Sequence, residues 1–234
     1  RRKVGIMKKI KLFLFFFIAI LSLFGCENIE KNVANAINDE FIVTIDAGHG
    51  INTDGKCAYN SSFREWEINN EVAIKVEELL EEQGIRVERV DDITGKNDIP
   101  LEERLEKAID YNSDLHISIH QNADSSQSDA TGIEVYYNSS SSERNQNFAI
   151  DLSRRISDYI TTTNRGWKAS DDNLFITREF CKNGIDAVLT EGLFMTNLND
   201  VEYMSTEQYV YEYGSAIADS VLINYRNEIT FKEE

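Results

Sequence analysis

Proline occurs once in the 234 residues and glycine only 12 times. This composition argues against collagen-like and disordered classes. Positive charge is also short: 24 lysines and arginines face 41 aspartates and glutamates, for a net charge of −17. Six of those cations (Arg1, Arg2, Lys3, Lys8, Lys9 and Lys11) precede Cys26 and no acid does, so the remainder is more acidic still. Such a surface repels phosphate backbones, so nucleic acid is not an expected partner. It also repels other polyanions, so binding to any such polymer must be local. Histidine is scarce, with three copies at 49, 116 and 120.

What is present begins with a leader. Met7 followed by Lys8-Lys9-Ile10-Lys11 reads as a natural start, and the apolar run Leu12 to Leu21 is shorter than the ~20 residues that span a bilayer. A basic start with a short apolar stretch is an export pattern. Leu23-Phe24-Gly25-Cys26 resembles the bacterial lipobox, whose cysteine becomes lipidated. The expectation is a lipoprotein-type signal over 1–25, lipidation at Cys26, a polar tether over 26–39, a catalytic domain over 40–228 and a tail over 229–234. The folded part would then sit outside the cytoplasm, anchored to the outer face of the membrane. Phe24 is bulkier than that motif usually allows, which leaves an uncleaved anchor or ordinary secretion as alternatives. Cys57 and Cys181 remain as thiols that export either pairs or leaves free.

A chain of this length buries one good core. Apolar patterning predicts strands at 41–45, 85–90, 115–119, 132–137 and 187–190, with helices over 68–83, from Pro100 through Ile109, over 142–162 and over 205–225. Ser205-Thr206-Glu207-Gln208 matches a capping box for the last helix. Alternating strands and helices imply an α/β single domain, with a central, largely parallel twisted sheet and helices on both faces. No internal repeat or second domain is visible, and the chain is expected to act as a monomer.

Ligands of such sheets bind beyond the carboxyl ends of the strands, and His49, His120 and Glu191 each follow a strand closely. His49 lies in Asp46-Ala47-Gly48-His49-Gly50, where the glycines permit a tight turn; alone, a loop histidine is more often a surface residue. Asp46 suits either an acceptor that orients a neighbouring group or a loop cap. His116-Ile117-Ser118-Ile119-His120 alternates as a strand, so its two histidines lie about 13 Å apart and cannot share one ion. His120, at the carboxyl end, is the candidate ligand, and His116 a packed one. Glu65 completes Ser62-Phe63-Arg64-Glu65, a possible capping box, and Glu67 and Glu71 compete with it as ligands. Glu191 follows an apolar strand, where a carboxylate is costly unless paired or metal-bound.

Taken in order, these fragments resemble the zinc-dependent N-acetylmuramoyl-L-alanine amidases of the Amidase_3 family. The family's D-P-G-H-G is similar to Asp46 through Gly50, with Ala47 in place of proline. Its helix-opening glutamate matches Glu65-Trp66-Glu67-Ile68-Asn69, and its L-x-x-R matches Leu101 to Arg104. Its I-S-I-H-x-N-A is similar to Ile117 through Ala123. G-x-E-x-Y-Y corresponds to Gly132 through Tyr137, and V-L-V-E-x-x-F-x-S-N to Val188 through Asn197. The loop from Ile51 to Arg64 departs from the family's glycine-rich spacing and contains Cys57.

This resemblance implies Zn²⁺ held by His49, Glu65 and His120, with Glu191 as the catalytic base. Asn122, Glu134 and Arg104 are implied substrate contacts, Arg104 alternatively forming a structural ion pair. The implied reaction is hydrolysis of the amide between N-acetylmuramic acid and L-alanine in peptidoglycan. The alternatives are a zinc peptidase cutting within the stem peptide and an inactive wall-binding lipoprotein.

Overall fold

A computed structural model describes residues 41–125 and 128–225. The expected signal, the tether, Cys26 and the tail lie outside the described residues. Among the described residues lie six strands and six helices, in the order β1 (Ile42–Ala47), α1 (Glu65–Glu81), β2 (Arg86–Arg89), α2 (Leu101–Asp110), β3 (Leu115–Asn122), β4 (Ile133–Tyr137), α3 (Glu143–Tyr159), β5 (Asn164–Ala169), α4 (Phe175–Lys182), β6 (Asp186–Phe194), α5 (Leu198–Met204) and α6 (Glu207–Asn224). The strands form one sheet in the order β2-β1-β3-β6-β4-β5. Only the β4–β6 pair is antiparallel. The α/β class and largely parallel sheet expected from the sequence are therefore present.

Period-two alternation gives the central strands two different faces. Val43, Ile45 and Ala47 of β1 join Leu115, Ile117 and Ile119 of β3 in the larger core, beneath Val72, Val76 and Leu80 of α1, Phe148 and Leu152 of α3 and Ile217 of α6. The intervening Thr44, Asp46, His116 and Ser118 are buried and polar. Next to them, under α2 and α4, a smaller cluster contains Ala108, Ile176, Phe180 and Ala187. His116 stacks on Phe180 with ring centroids 4.1 Å apart. Its Nδ1 lies 3.0 Å from the Thr44 hydroxyl, and its Nε2 3.0 Å from Asp46 Oδ2. It is a packed histidine inside a strand.

Two helix starts differ from expectation. Ser62 and Glu65 do not form a capping box. Glu67 reaches back to the Arg64 N–H at 2.6 Å, so α1 begins at Glu65 and that carboxylate is left for other work. The last helix is capped by Thr206, which accepts from the Tyr209 N–H at 3.2 Å. Ser205 is unavailable because its hydroxyl donates to the Val201 carbonyl at 2.8 Å, closing α5. Strand β5 and the short helices α4 and α5 carry too few regularly spaced apolar residues to be legible. Both described cysteines, Cys57 and Cys181, are free.

Candidate metal centre

The first ligand loop leaves β1 at Ala47. Its Gly48 N–H donates to the Ile119 carbonyl at 2.9 Å, tying the turn to β3. His49 adopts a left-handed backbone with φ 69°, a conformation that a non-glycine residue holds only where its surroundings impose it. Arg104, buried on α2, supplies much of that imposition. Its Nη1 donates to Asp46 Oδ1 at 2.8 Å and to the Ala47 carbonyl at 3.3 Å. Its Nη2 reaches the His49 carbonyl at 3.3 Å and Asp98 Oδ1 at 3.1 Å, and its Nε the Ile99 carbonyl at 2.9 Å. The guanidinium is thus committed to its own chain, as the ion-pair alternative expects. Burial would raise the Asp46 carboxyl, but Arg104 and His116 outweigh it and hold Asp46 well below the ordinary carboxylate range.

Glu65, at the start of α1, lies between the two candidate histidines. Its Oε1 is 3.1 Å from His120 Nδ1, and its Oε2 is 3.5 Å from His49 Nε2. One ligand atom from each of the three residues falls within 4.8 Å of the others. The two imidazoles meet edge to face, with centroids 4.8 Å apart. Tetrahedral zinc with bonds near 2.0–2.1 Å separates adjacent ligand atoms by about 3.3 Å, which these spacings bracket. Among the described residues, His49 Nε2 and Glu65 Oε2 are buried without a hydrogen-bond partner. Groups so exposed to a desolvation penalty want a cation or a donor, and the set fits a divalent ion. Burial pushes His49 down to about 4, so it is neutral at pH 7, the form that ligates. Burial acts to raise Glu65, but the adjacent His120 holds it lowered.

Residues beyond the expected set hold Glu65 in place. Its Oε1 accepts from the Gln121 N–H at 3.2 Å. Asn69 Nδ2 reaches the Gly48 carbonyl at 3.2 Å, and Gln121 Nε2 donates to Asn69 Oδ1 at 3.1 Å. Tyr209 on α6 completes the chain, donating to Gln121 Oε1 at 2.6 Å. Asn69 was readable, being four residues after Glu65 and therefore on the same helix face. Tyr209 left no sequence signal, since 88 residues separate it from Gln121.

Glu191 is the β6 neighbour of His120 in the parallel β3–β6 register, so it borders the cluster. Its Oε2 is buried with no hydrogen-bond partner, and burial pushes the carboxyl up to about 8. Glu134 faces Glu191 across the antiparallel pair. Its own carboxylate is taken by Arg165 Nε at 2.6 Å, Lys168 Nζ at 2.8 Å and the Tyr136 hydroxyl at 2.5 Å. Asn122 ends β3 two residues past His120, and its side chain accepts from the Ala123 N–H at 2.8 Å. A cleft of about 410 Å³, lined by Asp98, Ile99, Pro100, Leu101 and Arg104, opens directly onto His49 and His120.

Comparison with known proteins decides the family. Residues 43–222 match Amidase_3, described as N-acetylmuramoyl-L-alanine amidase. The chain belongs to this family. It is 32% identical to YqiI of Bacillus subtilis (strain 168) over 182 residues, covering 76% of this chain and 82% of that protein. It is 28% identical over 204 residues to the N-acetylmuramoyl-L-alanine amidase LytC of the same strain, covering 85% of this chain but 39% of LytC. The crystal structure of an N-acetylmuramoyl-L-alanine amidase from Clostridium difficile 630 superposes with a TM-score of 0.70 at 26% identity, covering 81% of this chain and 98% of that one. Membership of Amidase_3 and these amidase relatives support a peptidoglycan amidase activity for this chain.

Proposed function

We propose that this Amidase_3 chain hydrolyses the amide joining the lactyl group of N-acetylmuramic acid to L-alanine in peptidoglycan, with Zn²⁺ held by His49, Glu65 and His120. The observation that carries this reading is the convergence of those three side chains, two of whose buried atoms lack a partner, beside a buried free carboxylate. When bound there, zinc would polarise the scissile carbonyl and acidify water.

The protein's own groups supply the rest. Glu191 takes the proton of the attacking water through its free Oε2 and returns it to the nitrogen as the C–N bond breaks, leaving a carboxylate on the glycan and an amine on the peptide. Arg104 and Asp46 fix the turn that presents His49, while Asn69, Gln121 and Tyr209 fix Glu65. Asn122 and the cleft beside α2 offer substrate contacts on the rim.

The same reading extends to delivery: the basic leader and the lipobox-like Leu23 to Cys26 support an exported lipoprotein at the outer face of the membrane, and the proposed acting form is a monomer. The decisive experiment digests purified peptidoglycan with the protein before and after chelation and identifies products by mass. The expected products are intact stem peptides with a free L-alanine amine, formed only by metal-loaded protein. Cleavage inside the stem peptide would replace the amidase assignment with a peptidase one. Chelator-insensitive cleavage would remove the metal from it.

A further inference from the structure

Strand β5 carries an irregularity with a chemical consequence. In the β4–β5 register Ile133 faces Asn164 but Val135 faces Trp167. Two steps along β4 therefore match three along β5, and an extra residue is accommodated where Gly166 takes φ 95°. In a regular strand, side chains three apart point to opposite faces. Across this bulge Arg165 and Lys168 instead reach the same carboxylate, Oε1 of Glu134, at 2.6 and 2.8 Å. Bulges recur where a strand must re-aim a side chain beside an active site.

The two cations are placed toward the reaction. Glu134 is the direct cross-strand partner of Glu191, a relation that sets Cβ atoms about 4.5–5.5 Å apart. The Arg165 guanidinium also lies 4.9 Å over the ring of Phe194, three residues beyond Glu191 on the same strand. Neutralising one buried carboxylate needs one cation, yet here there are two, and their side chains remain 38% and 41% exposed while Glu134 is 6% exposed. Arg165 Nη1 donates to the Thr131 carbonyl at 3.4 Å, and Lys168 Nζ, besides Glu134, lies 5.7 Å over the Tyr136 ring, which leaves Arg165 Nη2 and further Lys168 N–H groups for another acceptor. Donors are left over, and they face solvent in a chain with a net charge of −17.

We infer that Arg165 and Lys168, paired by the bulge and seated on Glu134, form a subsite that binds a carboxylate of the acidic peptide released by the reaction. The inference rests on the amidase reading above, and it assigns this pair to substrate selection. Glu134 is the anchor that orients the two cations rather than a substrate contact itself. Such a subsite lets a strongly acidic protein hold an acidic peptide at one place only, by charge-assisted hydrogen bonds.

The test compares soluble muropeptides bearing free stem-peptide carboxylates with the same muropeptides after carboxyl amidation. Metal-loaded protein should prefer the free acids in kcat/KM by about 10-fold or more, the size of one or two charged hydrogen bonds. In Arg165→Met/Lys168→Met the ratio should fall to near one, chiefly through KM, whereas Arg165→Lys and Lys168→Arg should keep most of it. Should the double variant fail to fold, Lys168→Met alone leaves Glu134 paired and should lower the ratio part-way. A preference that survives loss of both cations, or that the wild-type protein never shows, overturns the subsite. Product masses report separately on which bond is cut. A peptidase-type product would overturn the amidase reading, and the free-acid to amide ratio would still report on the subsite.

Discussion

The imidazole of His120 occupies the space that a side chain on Gly48 would need: a Cβ built on Gly48 lies 2.1 Å from His120 Cε1. The turn bearing one candidate ligand and the strand end bearing another therefore pass so close that only glycine fits between them. Gly48→Ala should push His120 out of line with Glu65. We expect metal affinity to fall about 10–100-fold, as when a ligand loses its orienting partner, with the far-UV dichroism of the wild-type fold. Metal titration of the apoprotein reads this directly. Unchanged affinity would mean that the His120 ring has freedom the packing denies it.

Glu191→Gln keeps the shape of the buried side chain and removes its capacity to take a proton. Metal content should stay at the wild-type level while turnover of muropeptides falls about 10²–10⁴-fold. Elemental analysis and product formation, measured on one preparation, separate the two. A variant with near-normal turnover would remove Glu191 from the proton path.

Arg104→Met should act on stability as well as on the site. The Arg104–Asp46 pair is 2.8 Å long with both side chains almost fully buried. Removing one member of such a pair strands a charge and costs about 3–5 kcal/mol. Denaturant unfolding should show that loss, and the His49 loop, which hangs on the same guanidinium, should lose metal affinity with it. A cost below about 1 kcal/mol would show that water or His116 compensates Asp46.

Acid should weaken the fold partly through Glu134. Burial opposes ionisation of this carboxyl, but Arg165, Lys168 and Tyr136 prevail and bring it from 4.5 down to about 2. A carboxyl depressed in the folded chain contributes stability that is complete above its ordinary value and is lost as pH falls toward the folded one. The contribution is therefore full above pH 4.5 and disappears between there and about pH 2. Urea midpoints across that window should fall less steeply for Glu134→Gln than for the wild-type protein. Parallel curves would mean that the cluster contributes nothing to folding.

Much of this was legible in residue order. The alternation through Ile117 and Ile119 identified a strand, and strand spacing alone separated His116 from His120. Glycines flanking His49 marked a turn, and the apolar run before Glu191 marked a strand, although that strand continues through Glu191 to Phe194. The departures have local causes. Glu67 won the competition for the Arg64 N–H and shifted the start of α1. Ser205 was claimed by the carbonyl of Val201. Strand β5, with Arg165, Gly166 and Lys168 in six residues, has no apolar alternation to read.

Sequence by itself determined that five of the six strands form and which residue types stand along them, because those properties depend on neighbours a few positions away; their ends, at Asn122 and Phe194 for β3 and β6, lie beyond the apolar runs. Only the tertiary structure decided that Glu65, rather than Glu67 or Glu71, meets the histidines. One residue of shift turns a helix by about 100°, and packing against β3 sets that phase. The structure likewise decided that Arg104 props a loop from within and that a bulge turns Arg165 and Lys168 to one side. These outcomes depend on the distances between segments far apart in the chain, which residue order does not contain.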